Sequence, residues 1–215
     1  LIGIDAATFD VIEPLFSRNK LPTLRGLVNR GVHGALISTI PPITPPAWTS
    51  LVTGKNPGKH GIFDFVTRKP GSYEERLTTS TDRKCEAIWN ILSRHGRRVI
   101  VVNVPLTYPP EEVSGCMISG IGSPNDSTAI AFPSTILEEI KRSCGAYRVM
   151  YRVEPTESNC EKFLADLKDL VQIRGGAVRY LMGKFDWDLL IVVFQSTDWA
   201  QHFFWRFMDE SHPLF

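Results

Sequence analysis

The segment DLLIVVFQSTDWAQH, Asp188 to His202, decides the fold class of this chain. Its first part, up to Phe194, is a continuous apolar run, and a helical pattern begins at Asp198. A second run of the same kind, RVIVVNV, extends from Arg98 to Val104. Strands without polar alternation are buried on both faces, which is typical of a parallel sheet covered by helices. The two runs therefore predict the central strands of an α/β domain.

Strand and helix patterns alternate along the rest of the chain. Further strands are predicted at Leu1–Ile4, Val32–Thr39, Cys116–Ser119 and Ala146–Val153, and helices at Phe9–Phe16, Thr23–Asn29, Thr81–Arg94, Pro133–Ser143, Glu161–Met182 and Asp198–Met208. The pair Gly175-Gly176 is expected to interrupt or bend the long helix. The predicted fold class is α/β, with a mostly parallel sheet and helices on both of its faces.

The domain organisation follows from the length of the chain and from its ends. The chain has 215 residues, of which 43% are apolar, enough for a sizeable core. A strand pattern is already under way at Leu1, and no closing element precedes Phe215, so both ends look cut. We therefore expect residues 1–215 to be the N-terminal part of a larger domain. The irregular segment 106–160 is predicted to be an inserted lobe near the functional site.

Composition argues against several classes of protein. The net charge of +1 does not indicate a nucleic-acid surface or a polybasic membrane patch. The four cysteines form no CxxC pair, which excludes zinc-finger and thioredoxin motifs and favours reduced thiols in the cytoplasm. No apolar run approaches the roughly 20 residues of a membrane span. We expect a cytoplasmic protein that binds neither nucleic acid nor membrane, and its oligomeric state is left open.

The segment PPITPPAWTSLVTG, Pro41 to Gly54, places a threonine between two pairs of prolines. Proline suits the first turn of a helix, and threonine is a good N-cap. The pattern predicts Thr44 as the N-cap, Pro45 and Pro46 as the first helical residues, and Gly54 as the stop. Two interpretations of Thr44 stay open: a helix cap, or a hydroxyl at the positive end of a helix dipole, where an anion is favoured.

Polar residues follow three predicted strands at their carboxyl ends, where open α/β sheets bind ligands. Asp5 ends the first strand, and Thr44 follows the second. Asp198 and His202 follow the last apolar strand at a spacing that places both on one helical face, as a pair of metal ligands. Structural alternatives exist for each: Asp5 or Asp198 as a helix cap, and His202 as a packed or surface histidine.

Taken together, these residue types suit a dinuclear metal site for phosphoryl transfer. Two cations roughly 3.5–4 Å apart can activate a nucleophile and hold the oxygens of an in-line displacement. A threonine hydroxyl has a pKa too high to attack unaided, so a bound metal would have to lower it. The sequence therefore predicts that Asp5, Thr44, Asp198 and His202 cluster at one edge of the sheet.

Three segments resemble the type I phosphodiesterase/nucleotide pyrophosphatase family of the alkaline phosphatase superfamily. IPPITPPAWTSLVTGKNPGKHGIFDF is similar to its nucleophile segment, LIGIDAA to its first metal-binding strand, and FQSTDWAQHFFW to its Asp-x-x-x-His segment. NVPLTYPPEEVSG and MDESHPLF resemble its microbial branch. The resemblance covers most of the chain, and it implies that residues 1–215 are the N-terminal part of an alkaline-phosphatase-like catalytic domain.

The resemblance also implies a mechanism. Thr44 would be the nucleophile and would touch one metal, Asp5 would bind that same metal, and Asp198 and His202 would bind the other. The cofactors would be two divalent metal ions, zinc in the first place, with manganese and iron as alternatives. Attack by Thr44 on a small phosphoester would give a phospho- or nucleotidyl-threonine, which water then hydrolyses. The implied function is metal-dependent hydrolysis of phosphate mono- or diesters.

Two features depart from the family pattern. The family completes its site with a later Asp-His pair and a further His, and nothing after His202 matches them. Nucleotide pyrophosphatases place an Asn soon after the His-Gly-Ile segment, whereas here residues 60–62 are followed by Phe-Asp-Phe, which argues against nucleotide substrates. Lys55 and Lys59 are better explained as solvated loop lysines than as phosphate ligands.

Other functions stay open at this point. A sulfatase would need Cys or Ser in place of Thr44, and a cofactor-independent phosphoglycerate mutase would need Ser, so threonine disfavours both. A phosphotransferase or mutase of the same superfamily is an alternative. A non-catalytic binding module that keeps the fold is another. The third is a fragment that oligomerises through apolar surface left uncovered.

Overall fold

The computed structural model describes residues 1–69, 71–124 and 128–215. Its strands are β1 (Ile2–Ile4), β2 (Val66–Arg68), β3 (Glu75–Leu77), β4 (Val99–Val104), β5 (Gly115–Ser119), β6 (Ala131–Phe132) and β7 (Leu189–Phe194). Its α-helices are α1 (Phe9–Ser17), α2 (Pro22–Arg30), α3 (Thr44–Thr53), α4 (Pro57–His60), α5 (Ile88–Arg94), α6 (Ile136–Cys144), α7 (Cys160–Lys184) and α8 (Ser196–Phe204). Short 3-10 turns lie at Ser80–Asp82, Thr128–Ile130, Glu157–Asn159 and Trp205–Phe207.

Five of the strands form one sheet, in the order β1-β7-β4-β5-β6. The first four strands of that order run parallel, and β6 pairs antiparallel with β5. Strands β2 and β3 form a separate antiparallel pair. The two apolar runs predicted as central strands are β4 and β7, and they lie side by side. The predicted α/β class with a mostly parallel sheet is confirmed.

Strand β4 shows why its sequence is apolar without alternation. All six of its residues are buried. Ile100 and Val102 pack into a core with α6 and α7, whereas Val99 and Val101 pack into a second core with α3 and α5. Both faces of the strand are therefore covered by helices, as the predicted architecture requires.

The predicted strand at Val32–Thr39 is wrong. The structure has no regular element between α2 and α3, and Val32 and Ile37 are 104% and 95% exposed. Alternation marks a segment that suits a strand, but a strand also needs a neighbouring backbone for its N–H and C=O groups. Among the described residues none pairs with this segment. Its exposed apolar side chains are the kind of surface that would favour oligomerisation.

The predicted strand at Ala146–Val153 is also wrong. Within the described part of the chain, the segment forms no strand pairing; ion pairs and a hydrogen bond made by arginines attach it to α7 instead. Arg148 forms ion pairs with Asp166 and Asp169 of α7, at 2.5 and 2.6 Å. Arg174, also from α7, is fully buried and donates to a backbone carbonyl of the segment at 3.0 Å. Tyr151 and Val153, which contributed to the strand pattern, pack against apolar residues of α7.

Most helix ends lie within four residues of the prediction, but one predicted helix start and one predicted helix break are wrong. The helix predicted from Thr81 begins only at Ile88, because a 3-10 turn at Ser80–Asp82 and an extended stretch precede it. The long helix is continuous through Gly175-Gly176, so the predicted break is wrong. A Cβ on Gly176 would lie 3.3 Å from the Cβ of Cys144, which indicates that this glycine allows close packing with the end of α6.

The segment 106–160 contributes to the main sheet as well as to its loops. Strands β5 and β6 lie within it, and α6 packs on one face of the sheet. An inserted lobe near the site stays a prediction for the remaining loops of the segment. None of the helices in the described part of the chain combines the length and the apolar composition that crossing a membrane requires.

Candidate functional site

Thr44 is the first residue of α3, and the prediction that it is the N-cap is wrong. The cap is Ile43, because the first backbone bond of the helix runs from the Ala47 N–H to the Ile43 carbonyl at 3.2 Å. The prolines Pro45 and Pro46 are buried in the first turn. Within the described part of the chain, the Thr44 hydroxyl makes no hydrogen bond. The hydroxyl is therefore not engaged in capping the helix.

Trp48 connects the helix of Thr44 to the end of β1. Its indole Nε1 donates to the Asp5 Oδ1 at 3.4 Å. Its ring also lies against Gly3, where an added Cβ would come within 2.4 Å of the ring. Residues four apart share one face of a helix, so Thr44 and Trp48 lie on the face of α3 that meets β1. Sequence reasoning missed this tryptophan, and its position one turn after Thr44 was the available signal.

Backbone and side-chain bonds join the end of β1 to α8. The Asp5 N–H donates to the Phe194 carbonyl at 2.9 Å, which continues the parallel pairing of β1 with β7. The Thr197 hydroxyl donates to the Asp5 carbonyl at 2.6 Å, and the Gln201 amide donates to the Ala6 carbonyl at 2.7 Å. The first turns of α8, which carry Asp198, are thus held directly against Asp5.

Asn103 supports the same edge of the sheet from β4. It is fully buried, and its amide donates to the Val193 carbonyl at 2.9 Å and to the Gln195 Oε1 at 3.0 Å. Its φ of +60° is a left-handed conformation, at the irregular register between Val102 and Val104. Because Gln195 is the N-cap of α8, Asn103 fixes the start of that helix. The signal in the sequence was the single polar residue inside the run VIVVNV.

Asp198 and His202 form the pair that their spacing predicts. The His202 Nε2 lies 3.5 Å from the Asp198 Oδ1. The Asp198 side chain is 25% exposed, whereas that of His202 is 77% exposed. Both line an open depression of about 450 Å³, together with Ala6, Gln201 and Trp205. The pair is therefore accessible to a small molecule or an ion.

The electrostatics of the site are dominated by two carboxylates close to each other. Burial, and then the negative charge of Asp198, raise the pKa of Asp5 to about 6, and the hydrogen bond from Trp48 opposes this shift. Burial also raises the pKa of Asp198, and His202 opposes that shift. A carboxylate that is partly desolvated beside another one is stabilised by a cation. The site is thus short of positive charge.

The side chains fit a divalent metal in their chemical type. Carboxylate oxygens and imidazole nitrogens are the ligands of zinc, and carboxylates also suit manganese and iron. However, no group of three or more His, Cys, Asp and Glu side chains is arranged to hold a metal ion among residues 1–69, 71–124 and 128–215. The described residues therefore supply a partial set of ligands.

Two of the structural alternatives for these residues are wrong. The N-cap of α1 is Thr8, which accepts from the Asp10 N–H at 3.4 Å, so Asp5 does not cap that helix. The N-cap of α8 is Gln195, so Asp198 does not cap it either. The structure brings Asp5, Asp198 and His202 together. The inclusion of Thr44 in one shared site stays a prediction.

The chain matches the family described as Type I phosphodiesterase / nucleotide pyrophosphatase over residues 1–212, and it belongs to that family. Comparison with curated proteins gives no match. Among solved structures, the fold is similar to that of phosphonoacetate hydrolase from Sinorhizobium meliloti 1021 in complex with phosphonoacetate, with a TM-score of 0.59 and 18% sequence identity. The similarity covers 92% of this chain and 46% of the hydrolase chain, and at this identity it concerns the fold. The chain thus spans about half the length of that solved structure.

The contact between Trp48 and β1 gives a first testable prediction. We expect Gly3→Ala to destabilise the protein by about 1–3 kcal/mol, because the new methyl group overlaps the Trp48 ring and forces it away. Urea unfolding followed by tryptophan fluorescence measures the loss of stability, and the fluorescence of the folded variant reports the displacement of the Trp48 ring. Gly34→Ala is the control, since nothing lies within 4 Å of a Cβ at that position. Equal stability of the two variants would contradict the contact.

Proposed function

We propose that this chain carries the nucleophile and part of the metal site of a hydrolase that acts on phosphate mono- or diesters. Family membership supports phosphoester hydrolysis as the class of reaction. The observation that carries the assignment of roles is the contact between Trp48 and Asp5, because it sets the helix of Thr44 against the carboxylates. Asp198 and His202 lie beside the same carboxylate.

Thr44 is proposed as the nucleophile. Its hydroxyl lies at the N-terminus of the ten-residue helix α3, where the partial positive charge of the helix favours a developing oxyanion. The Thr44 oxygen would form a bond to phosphorus while the bond to the leaving alcohol breaks, and the alcohol would leave with a proton. Attack by water on the phosphorylated threonine would then restore the hydroxyl and release phosphate from a monoester substrate, or a phosphate monoester from a diester substrate. The sum of the two steps is hydrolysis of one ester bond.

Asp5 and Thr44 would hold one divalent metal ion, and Asp198 and His202 the other. When bound, such ions lower the pKa of the attacking hydroxyl and offset the charge of the phosphoryl oxygens. The contribution of the chain is to orient the ligands. The Trp48 indole and the backbone bonds around Asp5 fix that carboxylate, and Asp198 is held by the turn that Gln195 caps.

Turnover of a chromogenic substrate tests the proposal. We expect the full-length protein that contains this chain to release p-nitrophenol from bis-p-nitrophenyl phosphate or p-nitrophenyl phosphate when zinc or manganese is added. Chelation by EDTA should abolish release, and added metal should restore it. Substrate binding without turnover under every metal would favour a non-catalytic binding module. Transfer of the phosphoryl group to an added alcohol in preference to water would favour a phosphotransferase.

A further inference from the structure

His60 is a fully buried titratable residue that the proposed mechanism does not use. It ends the short helix α4, in the turn-rich loop TGKNPGKHG that follows the helix of Thr44. Its backbone carbonyl accepts from the Lys84 N–H at 2.9 Å, which attaches the loop to the next part of the chain. The loop is thus attached to the residues around Lys84 through the backbone of His60, and the His60 side chain is free to contact α3.

The hydrogen bonds of His60 define its protonation. The Ile62 N–H donates to the ring Nδ1 at 3.1 Å, so Nδ1 carries no proton. In the neutral ring the proton is then on Nε2, which lies 2.9 Å from the Ser50 hydroxyl and donates to it. Burial lowers the pKa of His60, while the nearby backbone carbonyl of Pro46 acts in the opposite direction. The ring is therefore neutral at pH 7 and connects its own loop to α3.

Helix α3 depends on such contacts for its placement. Its N-cap residue, Ile43, makes no side-chain hydrogen bond, and its first turn contains two prolines without N–H groups. In the described part of the chain, three of its side chains bond to residues outside the helix: Trp48 to Asp5, Ser50 to His60, and Thr53 to the Lys55 N–H. The first bond approaches from the sheet and the second from the loop.

We propose that His60 is a positioning residue for Thr44, acting through Ser50 of α3. The proposal rests on the proposed role of Thr44 as the nucleophile. Ser50 and Thr44 belong to the same ten-residue helix, so a shift of the His60 ring that displaces Ser50 would also move the turn that carries the Thr44 hydroxyl. Displacement of a reacting group by about 1 Å can cost on the order of 100-fold in rate.

Three variants separate positioning from packing. Ser50→Ala removes the partner on α3 and leaves the loop intact. His60→Asn keeps an acceptor near Nδ1 for Ile62 but is too short to reach Ser50, whereas His60→Gln can place a donor near Nε2. The matched control is Thr53→Ala, which removes a hydroxyl on the same helix that donates to the Thr49 carbonyl at 2.7 Å and accepts from the Lys55 N–H at 3.2 Å, without contacting His60.

The measurement is kcat and KM for bis-p-nitrophenyl phosphate with added zinc, alongside urea unfolding of each variant. We expect Ser50→Ala and His60→Asn to lower kcat by about 10-fold to 100-fold with KM changed less than about 3-fold. His60→Gln should recover part of kcat, and Thr53→Ala should keep it. If a His60 variant does not fold, Ser50→Ala against Thr53→Ala decides, because Ser50 is less buried.

The outcomes distinguish this proposal from the one on which it rests. Equal kcat for Ser50→Ala and Thr53→Ala, in a full-length protein whose activity is lost with Thr44→Ala, would overturn the positioning role alone. A loss of kcat that follows stability across all four variants would also overturn it, since it would assign His60 to packing. A full-length wild-type protein without turnover, or one whose rate Thr44→Ala does not change, would overturn the proposed function and the positioning role together.

Discussion

Replacing Thr44 by alanine is expected to lower phosphoester turnover by at least about 10³-fold, because the covalent route is lost with the oxygen. The same substitution should change the free energy of unfolding by less than about 0.5 kcal/mol. The reason for the small effect is structural. Ile43 is the N-cap of α3, and among the described residues the Thr44 hydroxyl has no hydrogen-bond partner.

The expected effects of Thr44→Ala on turnover and on stability distinguish a nucleophile from a helix cap. If Thr44 were only a helix cap, its replacement by alanine would lower the stability of the protein by about 1 kcal/mol and would leave catalytic turnover unchanged. Thr44→Ser should retain measurable turnover, because the oxygen stays and only the methyl group that restricts χ1 is lost. The assay is release of p-nitrophenol from bis-p-nitrophenyl phosphate with added zinc or manganese, and urea unfolding reports stability.

Thr53→Ala is the control for the Thr44 variants. It removes a threonine hydroxyl from the last turn of the same helix, where that hydroxyl bonds to the Thr49 carbonyl. We expect full turnover and a loss of roughly 1 kcal/mol of stability. Near wild-type turnover in Thr44→Ala would show that Thr44 is not the nucleophile.

The centre of the sheet could be predicted from the sequence because strands that are buried on both faces have nearly continuous apolar sequences. The runs at 99–104 and 189–194 are apolar except for Asn103, and the structure pairs them at the centre of the sheet. The spacing of Asp198 and His202 was equally informative, since residues four apart on a helix meet through local geometry alone. The central strands and the Asp198–His202 pair could therefore be predicted from local and periodic patterns in the sequence.

The remaining features depend on contacts between residues far apart in the chain. Trp48 meets Asp5 across 43 positions, and Asn103 meets Gln195 across 92, so neither pair has a local pattern. The exposed segment 32–39 has the alternation of a strand, but its state depends on whether a partner backbone lies beside it. The N-cap of α3 is an exception: it lies one residue before Thr44 because the Ile43 carbonyl accepts the first helical bond, which is a local contact.

Asp5→Asn is expected to have opposite effects on metal binding and on stability. Asn removes the charge of a proposed ligand, so zinc affinity should fall by about 10-fold to 100-fold. The metal-free protein should become more stable, by on the order of 1 kcal/mol at neutral pH, because a partly buried carboxylate beside Asp198 is replaced by a neutral amide. The amide oxygen can still accept the bond from Trp48.

Calorimetry with zinc and urea unfolding in EDTA measure the two effects in the same variant. The wild-type chain itself should bind zinc weakly, since four proposed ligand side chains are shared between two metals and a full zinc site takes about four ligands. Asp186→Asn is the control: this carboxylate is fully exposed and pairs with Arg98 at 3.6 Å, so neither measurement should change. Unchanged zinc affinity in Asp5→Asn would remove Asp5 from the ligand set. Lower stability in EDTA would mean that the carboxylate is needed for the fold, because a residue kept for metal binding destabilises the protein until the metal is bound.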